Sequence, residues 1–252
     1  MLRAAVTVLV MSVVVLVVGT PILLMGLIYP WRRLFDSGAV FWSRLVLFFA
    51  GVKLQVEGRE AVSDGVPRFF MGNHQSALDI PIVVAALDGH VRLMAKDTLF
   101  RIPIFGWTLS RYGFAAIKRE SARTTLSSLE RMLQRLRREP ISWAVFPEGT
   151  RSRDGRLLPF RRGTMKVGQR SGLPIVPFSI AGSMAVHHRD HFAAHPGPVR
   201  LVFGQPIPAE EVAMMSAAEL QHRVVSTIAG QLGQPVELHR VDDGVAFAAE
   251  GV

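Results

Sequence analysis

From Ala4 to Trp31 not one side chain carries a charge. Such a run must leave water, and about 20 consecutive apolar residues are enough to cross the hydrocarbon of a bilayer. Three readings compete for it. A membrane anchor is favoured by the length of the run and by its lack of a polar face. A cleaved signal peptide finds a basic start in Arg3 and a cutting point at Gly19-Thr20. Yet the apolarity continues past Pro21 to Ile28, beyond the apolar core of about 7–15 residues that signal peptides use. A buried core helix is the third reading. Pro30 is expected to end the segment.

A second apolar run, Ala39 to Val52, is shorter and interrupted by Arg44. It is expected to lie along a membrane interface or to fold back as a hairpin. Arg32 and Arg33 follow the first run, against Arg3 before it. That asymmetry directs the rest of the chain to the cytoplasmic face of a cell membrane.

The chain has 252 residues, enough for one sizeable domain with an appendage. Its net charge is +9 and its pI about 11.0, which favours an anionic partner. Nucleic acid is not expected: there are only two Tyr, and the basic residues do not interleave with aromatics. An anionic membrane surface suits the apolar start better. Cysteine is absent, which excludes disulfides, thiolate metal sites and a cysteine acyl-enzyme.

Beyond residue 50 the pattern changes. Val52-Lys53-Leu54-Gln55-Val56-Glu57 alternates as a half-buried strand does. Further strands are expected at Arg68–Met71, Val91–Ala95, Ile141–Phe146, Ile175–Ile180 and Val199–Phe203. A helix is expected over Ile80–Leu87, with Pro81 tolerated in its first turn. Ala122, Leu126, Leu129, Leu133 and Leu136 draw one apolar helical face. Ser216-Ala217-Ala218-Glu219 reads as a capping box opening a helix with Leu220, Val224, Ile228 and Leu232 on its inner face. Strands alternating with helices imply an α/β layer fold. The expected divisions are an anchor over 1–50, a catalytic domain over 51–232 and a mobile tail over 233–252.

Two segments carry chemistry. Asn73-His74-Gln75-Ser76-Ala77-Leu78-Asp79 places a histidine five residues before a carboxylate, straight after a strand. An imidazole takes a proton near neutral pH, and a carboxylate on its other nitrogen fixes the tautomer. Such a pair can activate an alcohol for direct acyl transfer with no enzyme nucleophile. Five residues is a poor spacing on one continuous helix. The pair works if His74 lies on a loop and Asp79 enters the next helix. A plain N-cap role for Asp79 is the alternative, and the two roles can coexist. Asn73 and Gln75 suit either substrate binding or loop orientation. The second segment, Phe146-Pro147-Glu148-Gly149-Thr150-Arg151-Ser152, is a turn with an acid, a hydroxyl and an arginine; an ordinary β-turn has the same composition.

Both segments resemble the boxes of the glycerolipid acyltransferases, the family that includes the 1-acyl-sn-glycerol-3-phosphate acyltransferases. Its His-x4-Asp and Phe-Pro-Glu-Gly-Thr-Arg-Ser boxes stand here in order. Between them lies a Gly-x-x-x-Ile-x-Arg element, matched by Gly113, Ile117 and Arg119. After them comes Leu173-Pro174-Ile175-Val176-Pro177-Phe178. Ala116 stands where the family often has Phe.

The resemblance implies a mixed central sheet flanked by helices, with an N-terminal membrane-anchoring helix or helical hairpin. It implies His74 as base and Asp79 as its support. It associates Arg119, Glu148, Gly149, Thr150 and Arg151 with a glycerol phosphate group. Lys96 and the segment Phe160-Arg161-Arg162-Gly163 also resemble family positions. The implied activity is transfer of a fatty acyl group from acyl-CoA or acyl carrier protein to 1-acylglycerol 3-phosphate, giving phosphatidic acid. Alternatives are another acceptor (a lyso-ornithine lipid or glycerol 3-phosphate), a hydrolase, and a non-enzymatic binder of anionic lipid. No cofactor is expected. His187, His188, His191 and His195 have spacings that suit a metal, but Pro196-Gly197 follows them and no metal is expected.

Overall fold

The computed structural model describes residues 32–103, 105–117, 132–136, 141–188, 190 and 194–236. The uncharged run 4–31, Arg119, His191 and most of the expected helix over 122–136 lie outside these residues. Within 132–136 the chain is helical, with Leu133 and Leu136 buried.

Helix α1 (Arg32–Phe49) is followed at once by strand β1 (Val52–Glu57). Strand β2 (Phe69–Gly72) leads through loop 73–78 into helix α2 (Asp79–Ala86). Then come β3 (Val91–Lys96), α3 (Phe105–Tyr112), β4 (Ala115–Ile117) and β5 (Ser142–Val145). The rest is α4 (Arg162–Ser171), β6 (Ile175–Ala181), α5 (Ser183–Val186), β7 (Gly197–Phe203), α6 (Ala209–Met214) and α7 (Ala217–Leu232). The capping box forms: Ser216 accepts from the Glu219 N–H, and the Glu219 carboxylate accepts from the Ser216 N–H.

The sheet order is β1-β7-β6-β2-β5-β3-β4. Every neighbouring pair is parallel except β6–β7, so β1 and β7 run against the other five and the sheet is mixed. Composition explains the placement. β2 is wholly apolar and β6 is apolar but for the buried Ser179, and both are buried on both faces in the middle of the sheet. β1 alternates in burial, as an edge strand with one wet face does.

Side chains on successive residues go to opposite faces. Phe70 and Ala144 face the layer of α1 and α2, with Ile82, Val83, Phe178 and Ile180. Phe69, Met71, Trp143 and Val145 face α4 and α7, with Met165, Leu220, Val224 and Ile228.

The second apolar run is the inner half of α1. It packs against α2, and Val40, Ser43, Leu47 and Ala50 face inward at helical spacing. Ser37, Phe41, Arg44 and Phe48 face outward, and Phe48 is 75% exposed. Arg92 on β3 donates to Asp36 at 2.9 Å, both largely buried, which ties the start of α1 to the sheet. Arg44, the interruption in the run, pairs with Asp88 on the wet side. Among the described residues no helix is long and apolar enough to cross a membrane.

Candidate active site

Strands β2, β5 and β6 lie side by side and point the same way, so the loops at their carboxyl ends meet at one edge. Such edges are where open α/β sheets hold ligands. The histidine loop leaves β2, the Phe146–Ser152 segment leaves β5, and α5 with His187 follows β6.

His74 sits on the loop and Asp79 opens α2. Nδ1 of His74 lies 2.7 Å from Oδ2 of Asp79. That same oxygen accepts the N–H groups of Gln75 at 2.7 Å and Ser76 at 2.8 Å. Asp79 is therefore not the N-cap of α2. Leu78 holds that position with no side-chain bond, and the Asp79 carboxylate reaches back to fold the loop around itself. This wrap is what makes a five-residue spacing work. With three donors on Oδ2, Nδ1 carries its proton toward the carboxylate and Nε2 is left as the acceptor. The Asp79 side chain is fully buried, while that of His74 is 11% exposed.

The loop is braced from three directions. The Asn73 amide bonds Ile180 both ways: its Nδ2 donates to the carbonyl at 2.9 Å, and its Oδ1 accepts the N–H at 2.7 Å. Gln75 Nε2 donates to the Gly155 carbonyl at 3.0 Å. Ser76 Oγ donates to the His187 carbonyl at 2.7 Å. Both amides of the histidine box are thus engaged by backbone groups, Asn73 by strand β6 and Gln75 by the loop at Gly155.

The second segment backs the first. The Ser152 N–H donates to the His74 carbonyl at 2.8 Å, and the Phe146 ring stacks on the imidazole. Glu148 is buried and accepts the N–H groups of His74 at 3.3 Å and Leu158 at 3.4 Å. Burial pushes its carboxyl well above the ordinary range; the two N–H donors pull the other way, and the charge of Asp79 adds to the rise. Gly149 turns with φ +71°, its N–H donating to the Phe146 carbonyl at 3.0 Å. The Arg161 side chain lies over it, since a Cβ there would come within 2.8 Å of Nε.

Thr150 is exposed and Arg151 half-buried at the same edge. His187 is close by: burial and then the Arg151 charge lower its pKa, and its Nδ1 is buried with no hydrogen-bond partner among the described residues. Lys96 ends β3, but its side chain lies outside the description. His188 turns to Asp190 at 3.7 Å. Sequence reasoning singled out neither Phe146 as a stacking partner nor the Ser152 N–H as a brace. No spacing rule signals contacts between loops so far apart.

The arrangement is a histidine–carboxylate pair beside a glycine turn and an arginine. The sequence pattern of the Acyltransferase family matches residues 53–181, from β1 through β6. The chain belongs to the Acyltransferase family. The chloroplastic 1-acyl-sn-glycerol-3-phosphate acyltransferase of Arabidopsis thaliana is 32% identical over 198 residues, covering 77% of this chain and 54% of that protein. The 1-acyl-sn-glycerol-3-phosphate acyltransferase of Pseudomonas aeruginosa is 24% identical over 238 residues, 92% of this chain and 91% of that one. This member of the Acyltransferase family spans about half the length of the chloroplastic relatives from Arabidopsis thaliana and Brassica napus, 54% and 56%. Its fold matches the crystal structure of the 1-acyl-sn-glycerophosphate acyltransferase PlsC from Thermotoga maritima with a TM-score of 0.82. That likeness covers 92% of this chain and 94% of the other at 22% identity.

Proposed function

We propose that this chain is a membrane-associated O-acyltransferase of phospholipid biosynthesis. It moves a fatty acyl group from acyl-CoA or acyl carrier protein to the sn-2 hydroxyl of 1-acylglycerol 3-phosphate, giving phosphatidic acid. The carrying observation is the His74–Asp79 pair at 2.7 Å, on a loop that meets the Phe146–Ser152 segment bearing Arg151 at the carboxyl ends of the central strands. The relatives in Arabidopsis thaliana and Pseudomonas aeruginosa, both named as 1-acyl-sn-glycerol-3-phosphate acyltransferases, support the substrate class.

In this reading His74 Nε2 takes the hydroxyl proton as the oxygen attacks the thioester carbonyl. Asp79 stabilises the imidazolium. The tetrahedral intermediate collapses, the C–S bond breaks, and His74 returns the proton to the departing thiolate. Arg151, with Arg119 and Lys96, binds the phosphate, and arginine suits that task by its fixed charge and forked donors. Thr150 and the Gly149 backbone complete the cradle. The reaction needs no cofactor beyond the acyl donor.

The uncharged run and the exposed Phe41, Phe48 and Trp107 support docking on an anionic membrane at its cytoplasmic face. Residues 1–50 form the anchoring part, with α1 joining it to the catalytic part.

The test is labelled acyl donor offered to purified protein with 1-acylglycerol 3-phosphate, glycerol 3-phosphate and a lyso-ornithine lipid. Phosphatidic acid is the expected product. Transfer to another acceptor alone, or release of free fatty acid alone, overturns the reading. Co-flotation with vesicles containing anionic lipid checks the membrane part, and protein left at the bottom of the gradient contradicts it.

A further inference from the structure

The histidine loop is also gripped from the far end of the chain. Helix α7 closes with Gly233 in the left-handed region, and the next residue is Gln234. Its backbone N–H donates to the Ala229 carbonyl at 2.9 Å, which fixes its place on the helix end. Its side chain then crosses to segment 155–157. Oε1 accepts the Leu157 N–H at 2.8 Å, and Nε2 donates to the Gly155 carbonyl at 2.9 Å. The orientation of this amide is determined, because one partner can only donate and the other only accept.

The Gly155 carbonyl has a second donor, Gln75 Nε2 at 3.0 Å. One carbonyl therefore holds two amides, one from the histidine box and one from just past the end of α7. Residues on either side of that segment reach His74 as well, Ser152 directly and Leu158 through Glu148. Ser152 N–H donates to the His74 carbonyl, and Leu158 N–H shares the Glu148 carboxylate with the His74 N–H. Ser152 Oγ accepts the Gly155 N–H at 3.1 Å, which makes the segment one braced turn.

We infer that Gln234 is a positioning residue of the acyl-transfer site: it sets the 155–158 segment, and through Gly155 and Gln75 it sets the histidine loop. The inference rests on the proposed acyl-transfer reading for its kinetic arm and on geometry alone for its structural arm. Gln234 is only half-buried, so water can replace its bonds when it is removed. The cost then falls on alignment more than on stability. Small misplacements of a base weigh on the rate far more than on binding.

The experiment compares the full chain with Q234A, Q75A, the double variant, and V236A as a control at an exposed neighbour. Hydrogen exchange is followed in peptides covering 70–78 and 150–160, together with kcat and acceptor KM. For Q234A, exchange speeds up in both peptides, kcat falls about five- to tenfold and KM changes less than about twofold. The double variant loses less than the product of the two single losses, because both amides act through one carbonyl. V236A matches the unmodified chain.

Unchanged exchange in the 70–78 peptide of Q234A overturns the inference, as does a fully multiplicative double variant or a V236A that behaves like Q234A. If the unmodified chain transfers no acyl group, the proposed function fails, and the exchange arm still decides whether Gln234 holds the loop.

Discussion

The Phe146 ring lies flat against the His74 imidazole, with centroids 4.2 Å apart and planes within 15°. The two sequence boxes meet through this contact. Phe146 fixes the plane of the imidazole while Asp79 fixes its rotation, so the base has one orientation left. Replacing Phe146 by Leu keeps bulk and removes the flat face. F146L is expected to lower kcat about tenfold while the fold persists. F146A adds a packing loss of roughly 2–4 kcal/mol. Steady-state kinetics beside thermal melts separate the two; F146L with unchanged kcat shows that stacking has no role.

If His74 is the base, as proposed, His74→Ala is expected to lower turnover by about 10²–10⁴-fold with little change in melting temperature. Asp79 behaves differently, because its Oδ2 serves three donors. D79A leaves them unpaired in a buried place and costs on the order of 3 kcal/mol, so it loses stability as well as rate. Denaturant titration distinguishes the pair: equal destabilisation by the two variants contradicts this assignment.

Arg151 is expected to act on the acceptor phosphate. R151A should raise the acceptor KM about 10- to 100-fold, the worth of one charge-assisted contact, with a smaller effect on the acyl-donor KM. An acceptor that lacks phosphate should not sense the change. Equal loss toward both acceptors places Arg151 elsewhere in the reaction.

Gly149 combines φ +71° with the Arg161 side chain overhead. G149A forces a left-handed alanine and displaces a guanidinium at once. A loss of about 1–2 kcal/mol is expected, with a raised acceptor KM. A variant as stable and active as the parent argues that the turn is pliable.

Glu148 yields a pH prediction. Its carboxyl is pushed up in the folded chain, chiefly by burial. Above the ordinary carboxylate value of 4.5 the unfolded chain has released a proton that the folded chain still holds. Stability therefore declines as pH rises from there toward the raised value. E148Q does not titrate and keeps one carbonyl oxygen for the His74 or Leu158 N–H. Relative to the parent it should gain melting temperature as pH climbs above 4.5. Parallel pH profiles for the two proteins rule this out.

Much of the framework was legible because burial writes itself into local pattern. β1 was bounded correctly from alternation alone, since an edge strand alternates. β2 and β6 were readable as almost wholly apolar runs, the mark of central strands. The wet face of α1 was harder: exposed Phe41 and Phe48 look the same in sequence as buried ones. The His74–Asp79 pair was visible as two residue types at one spacing. The reach of Asp79 back to the Gln75 and Ser76 amides was not, because it depends on a loop conformation. Gln234 lies in what read as a tail, and only the fold brings it to Gly155. The hydrogen bonds that brace the histidine loop from other segments join positions 74 to 111 residues apart, and no window along the chain spans them.

The order β6-β2-β5 has a consequence for biosynthesis. The strand that delivers the base is made early, while the neighbours that steady it are made late. Ser152 grips the carbonyl of His74, and Ile180 grips the side chain of Asn73. A nascent polypeptide that has emerged only as far as Met132 owns His74 and Asp79 but lacks the β6 backbone and the 146–158 segment that brace their loop from outside. The histidine loop therefore gains its outside supports only once Ile180 has been made and the centre of the sheet can close.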